Sequence, residues 1–156
     1  MLQTDRGTLV LSTITLAYSH AAWAELGVAL DDDLALAPVL EHAWEFFGGA
    51  PRSWLLETAR SGADRDPAVL ALAGRYGSTV RPFTAADGVR WGEWALRAVP
   101  ERLLRRHCLR DCGLGNRLLR LCADELLWRD HPQVRERRVY EVLDEEQGHL
   151  CPVGTP

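Results

Sequence analysis

The sequence contains no lysine, so all 18 of its basic residues are arginines. Together with 22 acidic residues they leave a formal net charge of −4 at pH 7. This balance argues against non-specific binding of nucleic acid by the whole surface. The arginines are unevenly spread, because residues 97–156 hold eleven arginines against ten acids while residues 1–96 hold seven against twelve. Only the C-terminal third can therefore present a basic face, and a solvated arginine-rich helix surface is the simpler interpretation of that excess.

Long apolar runs are also missing. No stretch of 18 or more apolar residues occurs, so no membrane-spanning helix is expected. Residues 1–6 (MLQTDR) have neither the basic nor the apolar region of a signal peptide. We therefore expect a cytoplasmic protein with no membrane partner. A chain of 156 residues, 47% of them hydrophobic, is long enough for a real core.

Cysteine is scarce, with four residues at Cys108, Cys112, Cys122 and Cys151. In a cytoplasmic protein these are expected to be thiols rather than a disulfide framework. Cys108 and Cys112 would share one helix face, so a zinc site completed by Cys122 or His149 is an alternative. Because the spacing matches no standard zinc pattern, buried or half-exposed free cysteines are favoured over a metal site.

The pattern of apolar residues predicts the element order β-β-β-α-β-α-β-α, followed by further helices. Strands are predicted at residues 2–5, 8–16, 21–26, 54–57 and 78–82. Helices are predicted at residues 31–47 and 66–75, a third helix begins near residue 89, and further helices follow in the C-terminal third. The first three strands are expected to form an antiparallel meander. This order predicts an α/β fold of the ribonuclease-H-like type, a mixed five-stranded sheet flanked by helices. We divide the chain into a core, 1–108, and a C-terminal helical extension and tail, 109–156.

Residues 44–57 (WEFFGGAPRSWLLE) join a predicted helix to a predicted strand. Two glycines, Gly48 and Gly49, are typical of the position just past a helix end. Pro51 then favours an extended chain. The strand that follows ends in a carboxylate, Glu57, and ligands bind at that end of the strands in open α/β sheets. The stretch thus suits one corner of a metal site, although many purely structural helix-turn-strand units share its pattern.

Four segments carry a family resemblance. Residues 46–52 (FFGGAPR) match a F-G-G-x-P turn, 76–82 (YGSTVRP) a H-Y-G-F…R-P strand, 93–102 (EWALRAVPER) an E-R-x-V-R-Y-V-R-E-N helix, and 145–152 (EEQGHLCP) a closing E-E…L-x-P segment. In this order, these segments resemble the integrase-type catalytic core of bacterial insertion-sequence transposases. That group works with an AAA+ helper ATPase, and retroviral integrases are its more distant relatives.

The resemblance implies metal-dependent phosphoryl transfer on DNA, that is, strand cleavage and strand transfer. Matched by position, Asp5, Glu57 and Glu93 are the implied catalytic acids and the ligands of Mg²⁺, for which Mn²⁺ can substitute. Thirty-five residues separate Glu57 from Glu93, the spacing of the last two acids in that superfamily. The implied partners are DNA, an AAA+ helper ATPase and a second copy of the chain. The basic residues implied to contact DNA are Arg81, Arg90 and Arg97.

Two departures from the family pattern leave the enzyme's activity open. The second acid is Glu57 where the family has Asp, and one extra methylene moves a carboxylate by about 1 Å, which can cost on the order of 10²-fold in rate. The loop before the third acid, 85–90 (AADGVR), carries one arginine and one aspartate where the family's loop is basic. The alternative is therefore a catalytically degenerate transposase remnant that acts as a protein-binding or oligomerisation module. An unrelated helical regulator or a zinc module is a third interpretation.

Overall fold

A computed structural model describes residues 2–4, 7–29, 35–57, 66–83 and 112–153 of the chain. This part contains five strands and four helices. In chain order they are β1 (Leu2–Thr4), β2 (Gly7–Thr15), β3 (Ala22–Ala29), α1 (Leu36–Phe47), β4 (Ser53–Glu57), α2 (Pro67–Arg75), β5 (Thr79–Phe83), α3 (Cys112–Leu127) and α4 (Val139–Gln147). The predicted order of strands and helices is confirmed over these ranges. None of the helices in them has both the length and the apolar character that crossing a bilayer requires.

The first three strands form an antiparallel sheet in the order β1-β2-β3, which confirms the predicted meander. Between β2 and β3 the register runs from Thr8 opposite Ala29 to Thr15 opposite Ala22. A tight turn joins these two strands. The N–H of Leu16 donates to the carbonyl oxygen of Ala21 at 2.9 Å, which closes the turn. Strand β3 lies at the edge of this sheet.

Helix α1 forms because its apolar residues recur at helical spacing and share one side. Leu40, Ala43, Trp44 and Phe47 are all buried, as the periodicity predicted. The helix ends at Gly48, whose φ of 81° is a left-handed conformation that favours glycine. The predicted start of the helix, with its run of three aspartates at 31–33, lies outside the described residues.

Strands β4 and β5 pair in parallel, from Ser53 opposite Thr79 to Glu57 opposite Phe83. Helix α2 makes the connection between them. Its start was correctly predicted, since Pro67 is the first helical residue and the Asp66 side chain accepts a hydrogen bond from the N–H of Ala68 at 2.8 Å. These three elements form a β-α-β unit.

One detail of β4 corrects the sequence interpretation. A continuous apolar run such as Trp54, Leu55, Leu56 predicts a strand buried on both faces, but successive side chains of a strand point to opposite faces and these two faces differ. Trp54 is buried against the core, whereas Leu55 is 58% exposed. The two-stranded sheet therefore has an inner face toward the helices and an outer face on which Leu55 lies.

The mixed α/β class is confirmed, but the expected five-stranded sheet is divided in the described ranges. The strands pair as a three-stranded antiparallel sheet, β1-β2-β3, and a two-stranded parallel sheet, β4-β5. Strand β1 spans three residues, and its pairing with β2 uses all of them. A strand of that length offers few backbone groups to a neighbour on its other side. The finer assignment of the fold is taken up with the proposed function.

Helices α3 and α4 continue the core that begins with the strands. Helix α3 packs against β3, and the buried cluster includes residues from β3, α1, β4, α2, α3 and α4. Asparagine is a common helix N-cap, so the sequence predicts a helix start at Asn116, which is wrong, since α3 spans Cys112–Leu127 and Asn116 lies inside it. Residues 148–156 were predicted to be a tail, but Cys151 is tied to Ala50 by a β-bridge. The division of the chain at residues 108 and 109 stays a prediction.

Candidate functional site

The sequence-predicted acids and arginines fall mostly outside the described residues. Asp5, Glu93, Arg90 and Arg97 all lie there. The backbone of Glu57 ends β4 and pairs with Phe83 of β5. Arg81 is exposed on β5, in register with the exposed Leu55. The acidic triad therefore stays a prediction, and the described geometry concerns the framework that leads to Glu57.

That framework is the turn between α1 and β4, residues 48–52. The carbonyl oxygen of Pro51 accepts two hydrogen bonds, one from the indole N–H of Trp54 at 2.7 Å and one from the Ser78 hydroxyl at 2.8 Å. The carbonyl oxygen of Arg52 accepts from the N–H of Thr79 at 2.9 Å. The turn is thus fastened to the start of β5 as well as to its own strand. Proline and arginine carbonyls that would face solvent in an ordinary turn are satisfied here by fixed donors.

The same turn is fastened on its other side by the segment after α4. The N–H of Ala50 donates to the carbonyl oxygen of Cys151, and the N–H of Cys151 donates back to that of Ala50, both at 2.8 Å. The side-chain amide of Gln147 donates to the carbonyl oxygen of Phe47 at 2.9 Å, which is one of the acceptors left open at a helix end. Gly49 lies against Leu150 and Cys151 so closely that a Cβ would be 2.6 Å from the Cβ of Leu150. A side chain at position 49 has no room.

Of the four segments that carry the family resemblance, two therefore contact a third: residues 76–82 and residues 145–152 each contact residues 46–52. Residues 46–52, 76–82 and 145–152 are separated by up to about a hundred positions in the chain, yet they meet at the turn that leads into β4. The fourth segment, 93–102, lies outside the described residues. Sequence reasoning noted each segment separately and gave no signal that they would touch, because each pairing is long-range.

A second polar cluster, which sequence reasoning missed, lies at the turn between β2 and β3. His131 is buried, and its Nδ1 accepts hydrogen bonds from the N–H groups of Gln133 at 3.1 Å and Val134 at 2.9 Å. Since Nδ1 must accept, the ring proton belongs on Nε2, which donates to the carbonyl oxygen of Tyr18 at 3.0 Å. The imidazole is a hydrogen-bonded cross-link between two loops. The only sequence signal was the pair His131-Pro132, which had been interpreted as a helix stop.

His20 and Glu146 complete this cluster. The His20 ring meets the His131 ring edge to face, with centroids 5.1 Å apart, and the Glu146 carboxylate accepts from the N–H of Ser19 at 3.0 Å. Burial lowers the pKa of His20 below its ordinary value of 6.5, and neighbouring His131 lowers it further, against the opposing effects of Gln133 and Glu146. His20 has a φ of 60°, an uncommon conformation for a residue with a side chain. The hydrogen bonds of this cluster join loops to one another, which indicates that the cluster has a structural role.

The residues that the structure describes contain no candidate metal site of their own. No group of three or more histidine, cysteine, aspartate or glutamate side chains converges there. Cys122, buried, and Cys151, half-buried, are both free thiols, which agrees with the expectation of buried or half-exposed free cysteines. Burial, with a smaller contribution from Glu125 and against the opposing effect of Arg129, raises the pKa of the Cys122 thiol. The side chains of Cys108 and Cys112 lie outside the described residues.

Compared with known proteins, the chain matches no protein-family model and no curated protein. The integrase-type resemblance therefore depends on the four sequence segments alone.

Proposed function

We propose that this chain is an integrase-type transposase core that performs metal-dependent phosphoryl transfer on DNA. The observation that carries the proposal is that residues 76–82 and residues 145–152 both contact residues 46–52. Each segment resembles a different motif of one family. Coincidental resemblances would be expected to scatter over the surface, whereas these three fasten one turn. That turn sets the position of β4, the strand that ends in Glu57.

The strand pairing supports a ribonuclease-H-like sheet. One further pairing, of β1 with β4, would join the two sheets into a mixed five-stranded sheet in the order β3-β2-β1-β4-β5. Asp5 directly follows β1, and Glu57 ends β4. If those strands are neighbours and parallel, their carboxyl ends lie at the same edge of the sheet, where α/β proteins bind ligands. Both acids would then belong to one site, with Glu93 supplied by the segment that follows β5.

The donor set suits the ion that the resemblance implies. Asp5, Glu57 and Glu93 offer hard carboxylate oxygens, which Mg²⁺ prefers. When bound, the metal ions would activate a water or a DNA 3′-hydroxyl and stabilise the leaving oxygen in an in-line displacement. The chain's own part is to hold these carboxylates in place and to bind DNA. Arg81, exposed on β5, can donate charge-assisted hydrogen bonds to a backbone phosphate, and Arg90 and Arg97 are proposed to do the same.

The first test is a titration of the full chain with Mn²⁺, in which tryptophan fluorescence and thermal unfolding are the two readouts. Saturable binding should stabilise the protein by about 2.7 kcal/mol when the metal concentration is a hundred times the dissociation constant. We expect the effect to vanish in the double variant Asp5→Asn, Glu93→Gln. The matched control is Asp144→Asn, which removes an exposed acid of α4 and should leave the titration unchanged. No shift at millimolar Mn²⁺, or an equal shift in the double variant, would refute the metal site.

A second candidate function is a catalytically degenerate core that acts through protein contacts. It is favoured by Glu57 in place of an aspartate, together with exposed apolar side chains on α3 and just after it, such as Leu121 at 57% and Trp128 at 62% exposure. A nicking assay on supercoiled DNA with Mn²⁺ separates the two candidates. Cleavage that disappears in the Asp5→Asn, Glu93→Gln variant supports the active core, whereas metal binding without cleavage favours the degenerate one.

A further inference from the structure

The outer side of α3 carries a row of exposed large apolar side chains. Leu114 is 43% exposed, Leu121 is 57% exposed, and Trp128, just past the end of the helix, is 62% exposed. Successive members of the row are seven residues apart, which is close to two helical turns, so all three lie on the same side of α3. Exposed leucines are common one at a time, but an aligned row ending in tryptophan is typical of a contact surface. We call this row the α3 stripe.

Trp128 is held in place at one end of the α3 stripe. Its ring packs against the ring of Tyr140, with centroids 4.8 Å apart, and the Arg138 guanidinium lies 6.0 Å from the Trp128 ring centroid. Tyr140 is itself 37% exposed. Tryptophan, tyrosine and arginine are the residues that most often dominate binding energy at protein interfaces. A preoriented aromatic pair also loses little conformational entropy when a partner docks.

The charges that flank the α3 stripe have a specific arrangement about Leu121. Arg117 lies four positions before Leu121, and Asp124 and Glu125 lie three and four positions after it. All four side chains are exposed. Within four positions of Leu121, the stripe is therefore flanked by Arg117 on its N-terminal side and by the acidic pair on its C-terminal side, whereas Arg138 lies farther along, at Trp128. A surface with opposite charges at equal distances on either side of a centre is complementary to itself when reversed.

We propose that a second copy of this chain docks on the α3 stripe, with the two α3 helices antiparallel and a two-fold axis at Leu121. Leu121 then packs against the partner's Leu121. Arg117 lies opposite the partner's Asp124 and the partner's Glu125, and symmetry repeats this contact on the other side of the axis. At the ends, Leu114 lies opposite the partner's Trp128, so that each large aromatic ring covers a leucine. The contact is isologous and closes as a dimer.

A parallel arrangement is disfavoured by the same charges. It would place Arg117 beside the partner's Arg117 and the acidic pair beside its own copy, and like charges facing each other across a helix pair are destabilising. The antiparallel arrangement turns every one of these repulsions into an attraction. The proposal depends only on the exposed residues of α3 and its C-terminal end. It goes beyond the proposed activity on DNA and is independent of it, because the α3 stripe contains none of the predicted catalytic acids.

The test is analytical ultracentrifugation of the full chain and of charge-reversal variants. The wild-type chain should sediment as a dimer at about 100 µM, a concentration suited to a modest helix-pair interface. Two charge-reversal variants are compared: the single variant Arg117→Glu and the double variant Asp124→Arg, Glu125→Arg. Each should raise the dimer dissociation constant by about tenfold or more, because each creates repulsion at both symmetric contacts. A one-to-one mixture of the two variants should form a heterodimer of roughly wild-type affinity, since one contact then keeps its wild-type charges and the other is attractive with reversed sign.

The apolar part is tested by Leu121→Glu, which brings two carboxylates together at the axis and should abolish the dimer. Its matched control is Leu70→Glu on α2, where the leucine is 47% exposed and lies away from the α3 stripe. That variant should remain dimeric. Far-ultraviolet circular dichroism establishes that each monomeric variant keeps its helices. A wild-type monomer at about 100 µM, a dimer that survives both charge reversals, or a mixture that stays monomeric would each overturn the proposal.

Discussion

Ala50 and Cys151 exchange two backbone hydrogen bonds, each 2.8 Å long, although a hundred residues separate them in the chain. The bridge joins the turn after α1 to the segment after α4. Since the turn leads directly into β4, the C-terminal segment helps to fix the strand that ends in Glu57. The bridge therefore connects residues proposed as C-terminal extension to the framework of the proposed site.

We expect Gly49→Ala to loosen this bridge. A Cβ at position 49 would lie 2.6 Å from the Cβ of Leu150 and 2.8 Å from the carbonyl oxygen of Cys151. That oxygen cannot move freely, because it accepts the hydrogen bond from Ala50. The free energy of unfolding should fall by about 1–3 kcal/mol, as for overpacking elsewhere, when measured by urea denaturation.

The matched control is Gly74→Ala in α2, where an added Cβ has nothing within 4 Å. Alanine is the better helix former, so this variant should be unchanged or more stable by up to about 1 kcal/mol. Equal losses at the two positions would mean that the close approach at Gly49 does not constrain the fold.

The second prediction concerns Asn116, whose side-chain amide accepts from the N–H of Leu26 at 2.7 Å and donates to the carbonyl oxygen of Leu26 at 3.1 Å. Because β3 is the edge of its sheet, this amide takes the place of a neighbouring strand. Asn116→Ala should cost about 1–3 kcal/mol of unfolding free energy by leaving both groups without this partner. Amide hydrogen exchange at Leu26 should accelerate.

A comparison variant, Asn116→Asp, keeps an acceptor for the N–H of Leu26 but sets a carboxylate oxygen against its carbonyl oxygen. We expect Leu26 amide protection to be largely retained in this variant while global stability still falls. If neither variant changes the exchange rate at Leu26, the Asn116 contact does not protect the edge of the sheet.

The third prediction is a pH dependence of stability that originates at His20. Burial lowers the pKa of His20 below 6.5 in the folded protein, so the unfolded chain takes up this proton first as the pH falls. Stability is therefore lost as the pH drops through 6.5. His20→Asn removes the titrating ring and suits the positive φ of 60°.

Melting temperatures of both proteins between about pH 8 and pH 5 provide the measurement. The wild-type value minus that of His20→Asn should become smaller, or more negative, on the acidic side. Other titrating groups are common to both proteins and cancel in this difference. Two parallel curves would exclude His20 as a source of acid sensitivity.

The fourth prediction tests the proposed chemistry at Glu57. If β4 delivers this acid to a metal site built for a shorter side chain, Glu57→Asp should increase metal-dependent DNA nicking, by up to about 10²-fold. Glu57→Gln is the control and should abolish nicking, since it removes the charge at nearly constant size. Activity that is lower in Glu57→Asp than in the wild type would contradict the proposed geometry of the acids.

Sequence reasoning succeeded where near neighbours in the chain decide the structure. The apolar spacing of α1, the glycine at its end and the Asp66-Pro67 start of α2 were all predicted correctly, because helix periodicity and capping depend on residues a few positions apart. The meander of the first three strands followed from short connections between β-branched runs. The limits of sequence reasoning show at Asn116. This residue type is common at helix caps, but here its side chain pairs with a distant strand.

The sequence by itself determined the order of the helices and strands in the described ranges, the mixed α/β class, and the four segments that resemble one family. Only the tertiary structure decided that the Ala50 turn meets the Cys151 segment, and that His131 joins the β2–β3 turn to the loop before α4. Only the tertiary structure also decided that the α3 stripe faces outward. The physical reason is that local preferences act over a few residues, whereas these pairings satisfy buried polar groups and bury apolar surface between segments that no local pattern connects.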